Sequence, residues 1–417
     1  MRYLNLGRRI TPKRLTTVGL EWVIKPSGTY QYLQGMAVIL FWICTGLLIY
    51  AYAGYPLLLW LVSLSATQIK KTNTNQTVPP ISIVIPCYNE DAVILGKVRQ
   101  TLALDYPKDK LEVIVVSDGS TDRTAEVVGA ITDPRVRLIA LPQRRGKTYA
   151  QNAAVQQSSG EFIVFSDATT VYDPQALQFL AANYQDPHVG AVSGRYKYIS
   201  PKGTERAWGA ILFWHYENVI KMLQSRIRTL TGCSGCIYSV RKSLYQPLDD
   251  RACSDLVEPL CIVQKGYRVA FESRALAYEE ITTTGGDEFR MRVRVVTQGI
   301  TSIARMSDLL RIWKYGWTSF QILSHKVLRW CVPVLLLGIL AASMALAGET
   351  VYRQFLVVQL VFYGYALLSL AVPLHLLWRP LGLPLYFCIS NVAVFASIFE
   401  ILRGREFVVW DTVRRKA

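Results

Sequence analysis

Uncharged stretches long enough to cross a bilayer stand near both ends of the chain, and between them lies sequence with the mixed texture of a water-soluble core. A helical span takes roughly 20 apolar residues, so the charge-free run 35–64 predicts one tilted crossing and is too short for two. It starts too late and runs too long for a signal peptide. Residues 331–347 and 355–377 predict further spans, and 381–402, which carries Asn391 and Glu400, a weaker third. Before them, 287–330 interleaves Arg290, Arg292, Arg294, Arg305, Arg311, Lys314, Lys326 and Arg329 with Trp313, Trp317 and Trp330, as amphipathic helices at a membrane surface do.

The middle has a different period. Short Val- and Ile-rich runs at 81–86, 112–116, 136–141 and 162–166 alternate with helix-length segments Asp91–Leu102, Asp122–Ala130 and Lys147–Gln157. Strands apolar at every position are buried on both faces, so the pattern predicts an α/β domain with a mainly parallel sheet covered by helices. The chain thus divides into a basic tail (1–34), a span (35–64), a polar linker (65–80), the α/β domain (81–286), interfacial helices (287–330), C-terminal spans (331–402) and a second basic tail (403–417).

Charge changes the picture by its position. The net charge of +16 gathers beside the apolar runs, at Arg2, Arg8, Arg9, Lys13 and Arg14 and again at Arg403, Arg405, Arg414, Arg415 and Lys416. That placement suits lipid headgroups, and the absence of zinc-finger, RNP and basic-zipper patterns argues against nucleic acid. Topology strains here. With a cytosolic domain, one crossing before it and three after it, both basic tails fall outside, against the positive-inside tendency, unless the last segment is re-entrant or interfacial. The eight cysteines form no disulfide framework, and the single C-x-x-C, Cys233 to Cys236, lacks a second pair for zinc.

In sheets of this kind ligands bind at the carboxyl ends of the strands, and candidate chemistry stands there four times over. PCYNE places Pro86, Tyr88, Asn89 and Glu90 after the first strand, where a ring and a carboxylate suit a base and a ribose; Asn89 as an ordinary helix cap is the plainer alternative. SDGSTD places Asp118 after the second, with no G-x-G-x-x-G to support a dinucleotide fold. Gly146-Lys147-Thr148 imitates the end of a P-loop, but Leu141 stands where that loop needs glycine; Lys147 remains a phosphate or ribose contact at a helix start. SDATT places Asp167 after a fourth strand, a hard oxygen ligand for a divalent cation. Finally, Asp255 and Glu258 open a helical segment, where a carboxylate can simply complement the helix dipole.

Six motifs in order, PCYNE, SDGSTD, RRGK followed by Asn152, SDAT, TGCSGCIYSVR and SDLVEPL, resemble the family 2 glycosyltransferases of GT-A fold, the group that includes cellulose, hyaluronan and poly-N-acetylglucosamine synthases. The resemblance implies that Pro86, Tyr88, Glu90 and Asp118 surround a uridine nucleotide and that Lys147 lies close by. It implies that Asp167 binds Mg²⁺ or Mn²⁺ on the diphosphate, that Gly232, Ser234 and Gly235 lie on the acceptor side, and that Asp255 is the general base of an inverting transfer. Two departures stand out. The family's D-x-D reads Asp167-Ala168-Thr169, and its Q-x-x-R-W box is replaced by Met291-Arg292-Val293-Arg294-Val295, which keeps only Arg294 for the diphosphate. Loss of the tryptophan that would stack on an acceptor sugar favours one or few additions to a lipid-linked or saccharide acceptor. The rivals are a processive exopolysaccharide synthase, transfer onto polyprenyl phosphate, and a catalytically silent nucleotide-binding membrane subunit.

Overall fold

The computed structural model describes residues 28–66, 78–199, 208–280, 285–372 and 379–410. Arg2, Arg8, Arg9, Lys13, Arg14, Arg414, Arg415, Lys416 and most of the linker lie outside the described residues.

The four unalternating runs form one half of a single mixed, mostly parallel sheet. Its strands are β1 Ile81–Cys87, β2 Leu111–Asp118, β3 Val136–Leu141, β4 Phe162–Ser166, β5 Val171–Tyr172, β6 Val189–Ile199, β7 Ile237–Arg241 and β8 Arg268–Glu280, in the order β3-β2-β1-β4-β7-β6-β8-β5. β1 pairs in parallel with β2 and β4, and β2 with β3, whereas β7 runs antiparallel between β4 and β6. Successive residues of one strand feed different cores: Ile83, Ile85, Val113 and Val164 belong to one, Val84, Ile114, Val116, Ile163 and Phe165 to the other. Each such side chain contributes roughly 1.5–3 kcal/mol by leaving water, so both faces reward apolar residues and no polar alternation survives in the sequence.

Counting α1 Gly28–Ile49 and α2 Tyr55–Ser65 at the N-terminal end, the helices that follow the strands are α3 Asp91–Leu102, α4 Thr124–Gly129, α5 Lys147–Gln157, α6 Ala176–Ala182, α7 Trp208–Ile227 and α8 Ser254–Gln264. α4 begins two residues later than the pattern predicts because the Asp122 carboxylate accepts from the amides of Thr124 (2.9 Å) and Asp91 (3.2 Å) instead of entering the helix.

Beyond the sheet come α9 Gly285–Arg305, the short α10 Ile312–Tyr315 and α11 Trp317–Ile322, and then α12 Leu328–Ala345, α13 Thr350–Ala371 and α14 Leu383–Leu402. Among the described residues, four helical stretches are long and apolar enough to cross a membrane: Gln31–Ser65, Trp317–Ala345, Thr350–Ala371 and Pro380–Leu402. They leave Ile39, Ile43, Leu337, Val358 and Val361 exposed, an apolar outer surface that suits lipid. α1 lies along α12, with Phe41 buried beside Leu335 and Ile339, and the Cys44 sulfur fills the space over Gly338. Two π turns, Tyr50–Gly54 and Leu323–Val327, interrupt these stretches where they meet the α/β domain. α14 runs beside α9. Arg292 of α9 donates to the Tyr386 hydroxyl near one end of α14, and just past the other end Gln298 of α9 donates to the Phe407 carbonyl at 2.7 Å.

Candidate active site

At the carboxyl edge of the sheet the β1 and β2 loops are sewn together by side chains. Asn89 adopts a left-handed conformation (φ 51°), which asparagine tolerates better than most residues, and its Oδ1 accepts from the Thr121 amide at 2.8 Å. Asn89 is therefore a loop tie, and the position before α3 is Glu90, whose amide donates to Thr124 Oγ1 at 2.8 Å. Pro86 is tolerated inside β1 because β4 pairs no further than Val84, so no ladder bond there requires its missing N–H. The Tyr88 ring is covered on one side by the Arg144 guanidinium, 3.8 Å from its centre.

Asp118 is fully buried, and its two oxygens accept from the backbone amides of Arg145 and Gly146, both at 2.8 Å. It thus fixes the turn that starts α5, beside the Tyr88 ring. Gly119 (φ 63°) has no room for a side chain, since a Cβ would lie 2.5 Å from the Arg144 amide. Gly146 (φ 99°) is closed off likewise by the Val408 carbonyl at 2.3 Å.

Lys147, first residue of α5, connects the two halves of the site. Its ammonium hydrogen-bonds Asp167 at the end of β4 and reaches the Gly235 carbonyl at 3.3 Å. Burial pulls the lysine toward neutrality, but Asp167 and then Asp255 outweigh it and hold it above the ordinary lysine value. Gly235 in turn abuts the Asp255 carboxylate, for a Cβ there would stand 2.7 Å from Asp255 Oδ2. The Cys253 thiol donates to Asp255 Oδ1 at 3.0 Å, and the Cys233 amide donates to the Asp255 carbonyl at 2.8 Å, tying the loop to the start of α8. Arg294 of α9 acts electrostatically on Cys253, beside the same carboxylate, and makes a 3.5 Å contact with Gln298. Ser234, between the two glycines, is buried, and its hydroxyl accepts from Lys221 of α7 at 2.7 Å.

Several neighbours carry no motif. Lys97 of α3 is buried beneath the Asp167 loop, donates to the Thr170 carbonyl at 2.6 Å and is brought down to about 7 by burial. Thr169 donates to Glu279 at 2.8 Å, and Tyr196 donates to the same carboxylate at 2.9 Å. Trp214 of α7, half-exposed, stands edge-on to Tyr196 at 4.6 Å. The described part of the C-terminal tail touches α9 and the α/β domain: Glu406 pairs with Arg305 (2.6 Å) and Arg251 (2.8 Å), and the Trp410 carbonyl accepts from Arg144. Single ion pairs at these distances in the sequence leave no periodic signal, which is why the tail reads only as basic.

Glu258, one turn along α8 from Asp255, is not an exposed dipole partner. It is buried, neither oxygen has a hydrogen-bond partner, and desolvation raises it to about 8.

Asp167 places a carboxylate at the β4 end; among the described residues no three His, Cys, Asp or Glu side chains gather as a metal cage. The donor set still fits Mg²⁺ or Mn²⁺, which commonly take one or two carboxylates and complete the shell with substrate phosphates and water.

The mixed, mostly parallel eight-stranded sheet with its helices is GT-A-like, and among the described residues one N-terminal and three C-terminal long apolar helices accompany it. Residues 82–248, within the α/β domain, match the sequence model of glycosyl transferase family 2 and form a family 2 glycosyltransferase domain. Over 224 residues the chain is 29% identical to the poly-beta-1,6-N-acetyl-D-glucosamine synthase of Staphylococcus aureus, covering 51% of this chain and 53% of that one. Over 251 residues it is 29% identical to an N-acetylglucosaminyltransferase of Rhizobium leguminosarum bv. viciae, covering 56% and 58%. The chain thus spans a little over half the length of these curated relatives. In fold it is similar to a mannosyltransferase from Pyrobaculum calidifontis solved with GDP-Man and Mn²⁺, with a TM-score of 0.65 and 22% identity over 90% of this chain and 100% of that one.

Proposed function

We propose that the protein is a membrane-bound inverting glycosyltransferase that moves a sugar from a nucleotide diphosphate sugar, a UDP-sugar, to a hydroxyl of a lipid-linked or saccharide acceptor, forming a β-linkage in cell-envelope or exopolysaccharide glycan synthesis. The observation that carries this reading is the continuous contact from Asp167 through Lys147 and Gly235 to Asp255. It sets a diphosphate-binding carboxylate and a candidate base on either side of one lysine.

In this reading Tyr88 offers a ring to the base, while Asp118 acts on the nucleotide through the 144–146 turn that it holds. Asp167 would hold Mg²⁺ or Mn²⁺, which when bound supplies positive charge to the departing diphosphate. Lys147 and Arg294 add their own cations on that side. Asp255 takes the proton of the acceptor hydroxyl as its oxygen attacks the anomeric carbon from the face opposite the diphosphate, so an α-linked donor gives a β product. Trp214, whose ring centre lies 5.6 Å from the Lys221 ammonium that reaches Ser234, offers an aromatic face near that loop, and loss of the box tryptophan supports one or few additions better than repeated extension.

The domain lies on the cytosolic side in this reading. Both ends of α14 meet α9 or the segment tied to it, so α14 returns to the side on which it began. One crossing before the domain and two after it, α12 and α13, then leave Arg403 and Arg405 beside the domain, as the positive-inside tendency favours.

The test is transfer from a panel of radiolabelled UDP- and GDP-sugars into membranes containing the protein, with and without Mg²⁺ or Mn²⁺, followed by sizing of the product. Label in a small lipid or oligosaccharide fraction is expected. Label in high polymer would replace this reading with a processive synthase, and nucleotide binding without incorporation from any donor, in membranes supplied with lipid-linked acceptors, would replace it with a silent subunit.

A further inference from the structure

Behind the acceptor loop, where the α/β domain meets the membrane helices, charges outnumber their partners. α7 brings Glu217 and Lys221, the π turn Leu323–Val327 brings His325 and Lys326, the start of α12 brings Arg329, and α8 brings Asp255. Glu217 is paired: Arg329 hydrogen-bonds it and His325 lies 3.4 Å from it. Burial pushes this carboxyl up, yet Arg329 outweighs burial and holds it well below the ordinary range. Lys221, 6% exposed, is aimed at Ser234 of the acceptor loop at 2.7 Å. Lys326 is half-buried and has neither a hydrogen bond nor an ion pair among the described residues, although it acts electrostatically on Glu217, Lys221 and Cys253. Two ammonium groups therefore face the one carboxylate, Asp255, that Glu217's pairing leaves over.

Their placement is specific. The acceptor loop has a lysine at each end. Lys147 touches the Gly235 end, next to Asp255 and the donor carboxylate, and Lys326 stands at the Gly232 end, where a Cβ would come 4.0 Å from its Nζ. Lys326 also sits at the domain end of an apolar stretch, Trp317–Ala345, the depth at which a lipid's polar head meets a protein. A half-buried cation without a partner loses hydration and gains nothing in return, and π turns of this kind recur at functional sites.

Resting on the proposed transferase reading, we infer that Lys326, with Lys221 behind it, binds a phosphate borne by a membrane lipid, so that the acceptor is a lipid-phosphate-linked sugar whose free hydroxyl reaches Asp255 while its phosphate stays at the Gly232 end of the loop. A neutral saccharide would bring no anion to either lysine. The same phosphate chemistry could come from water, as free diphosphate, and the two sources separate by experiment.

Binding of radiolabelled polyprenyl diphosphate to the purified full-length protein in nanodiscs is measured against unlabelled polyprenol of equal length and against inorganic diphosphate, with UDP affinity measured in parallel. We expect the lipid diphosphate to bind at least tenfold more tightly than either competitor. Lys326→Gln should weaken it at least tenfold, Lys326→Arg should restore it to within about threefold, and UDP affinity should change less than twofold. Equal binding of polyprenol, equal competition by inorganic diphosphate, or a Lys326→Gln protein that binds as the wild type does would each overturn the inference. If Lys326→Gln does not fold, Lys326→Met and the Arg variant take its place in the same comparison. Loss of UDP binding in the wild type would instead count against the transferase reading and leave the lipid result to stand alone.

Discussion

The donor edge of the sheet and the seam between the domain and the membrane helices are both polar, yet they are held by opposite means. At the donor edge a side chain usually meets a backbone amide: Asp118 takes Arg145 and Gly146, and Asn89 takes Thr121, with partners 27 to 32 residues apart. At the seam long side chains meet each other across much of the chain, Glu217 with Arg329 at a separation of 112, Gln224 with Tyr55 at 169, and Tyr50 with Ser324 at 274. The strands beneath the donor edge are held by their own ladder and keep their positions when a loop side chain changes. A buried charge that loses its partner is left stranded, so the seam should fail by unfolding where the donor edge fails by losing chemistry.

The largest effect that would sharpen this contrast is expected at Asp255, where the two regions meet. Asp255→Asn keeps the shape and the Cys253 contact but cannot accept the acceptor's proton. Transfer should fall on the order of 10²- to 10⁴-fold, the usual contribution of a general base, with nucleotide affinity changed less than about threefold. Rate of transfer and UDP binding, measured on one preparation, decide it. Residual transfer within tenfold of wild type would remove Asp255 from the role of base.

Glu217→Gln tests the seam. It leaves the buried guanidinium of Arg329 without its carboxylate, a change that costs about 3–5 kcal/mol when a buried pair is broken on one side. Thermal unfolding in detergent should show a clearly lowered midpoint, while UDP binding to the surviving folded fraction stays within about twofold. The double variant Glu217→Gln, Arg329→Met should recover part of the loss, since it removes the stranded charge as well. A seam variant that binds nucleotide poorly but unfolds normally would break the contrast.

The same contrast explains what could be read from the sequence. Strands β1, β2 and β4 were legible because burial on both faces leaves unbroken hydrophobic runs, and the four apolar helices because a surface that suits lipid is apolar all round; β3, an edge strand without a buried residue, and helices α3 and α5 followed from the alternation of runs. Pro86, Tyr88, Glu90, Asp118, Lys147 and Asp167 stand directly after those strands, so local order alone places them at one edge. Lys221, Lys326, Glu217 and Trp214 were not legible as a site. Each looks like an ordinary residue of an amphipathic helix, and only the folding of α7 against the Leu323–Val327 turn brings them together. The tie between Glu406 and Arg305 hides for the same reason, at a separation of 101 residues. Arg294 was placed by resemblance, not by pattern, because the box around it had lost its other landmarks.

The smallest effect on transfer is expected at Glu258, which belongs to neither network and so shows what an unpartnered buried group does by itself. Its carboxyl has an ordinary value of 4.5 in the unfolded chain and about 8 in the fold, raised by desolvation. Between these values the native protein keeps a proton that the unfolded chain has released, and the state that binds more protons loses ground as pH rises. This residue's contribution to stability is therefore fully present below pH 4.5 and declines through the window up to about pH 8, by about 1 kcal/mol per pH unit. Glu258→Gln mimics the protonated acid and cannot ionise. Its unfolding midpoint should match the wild type near pH 5 and exceed it progressively toward pH 8, with transfer rate within about twofold at every pH where both are folded. Parallel pH profiles for the two proteins would mean that Glu258 finds a partner in solution, whereas a Gln variant that folds well but has lost transfer would move Glu258 from the core into the chemistry beside Asp255.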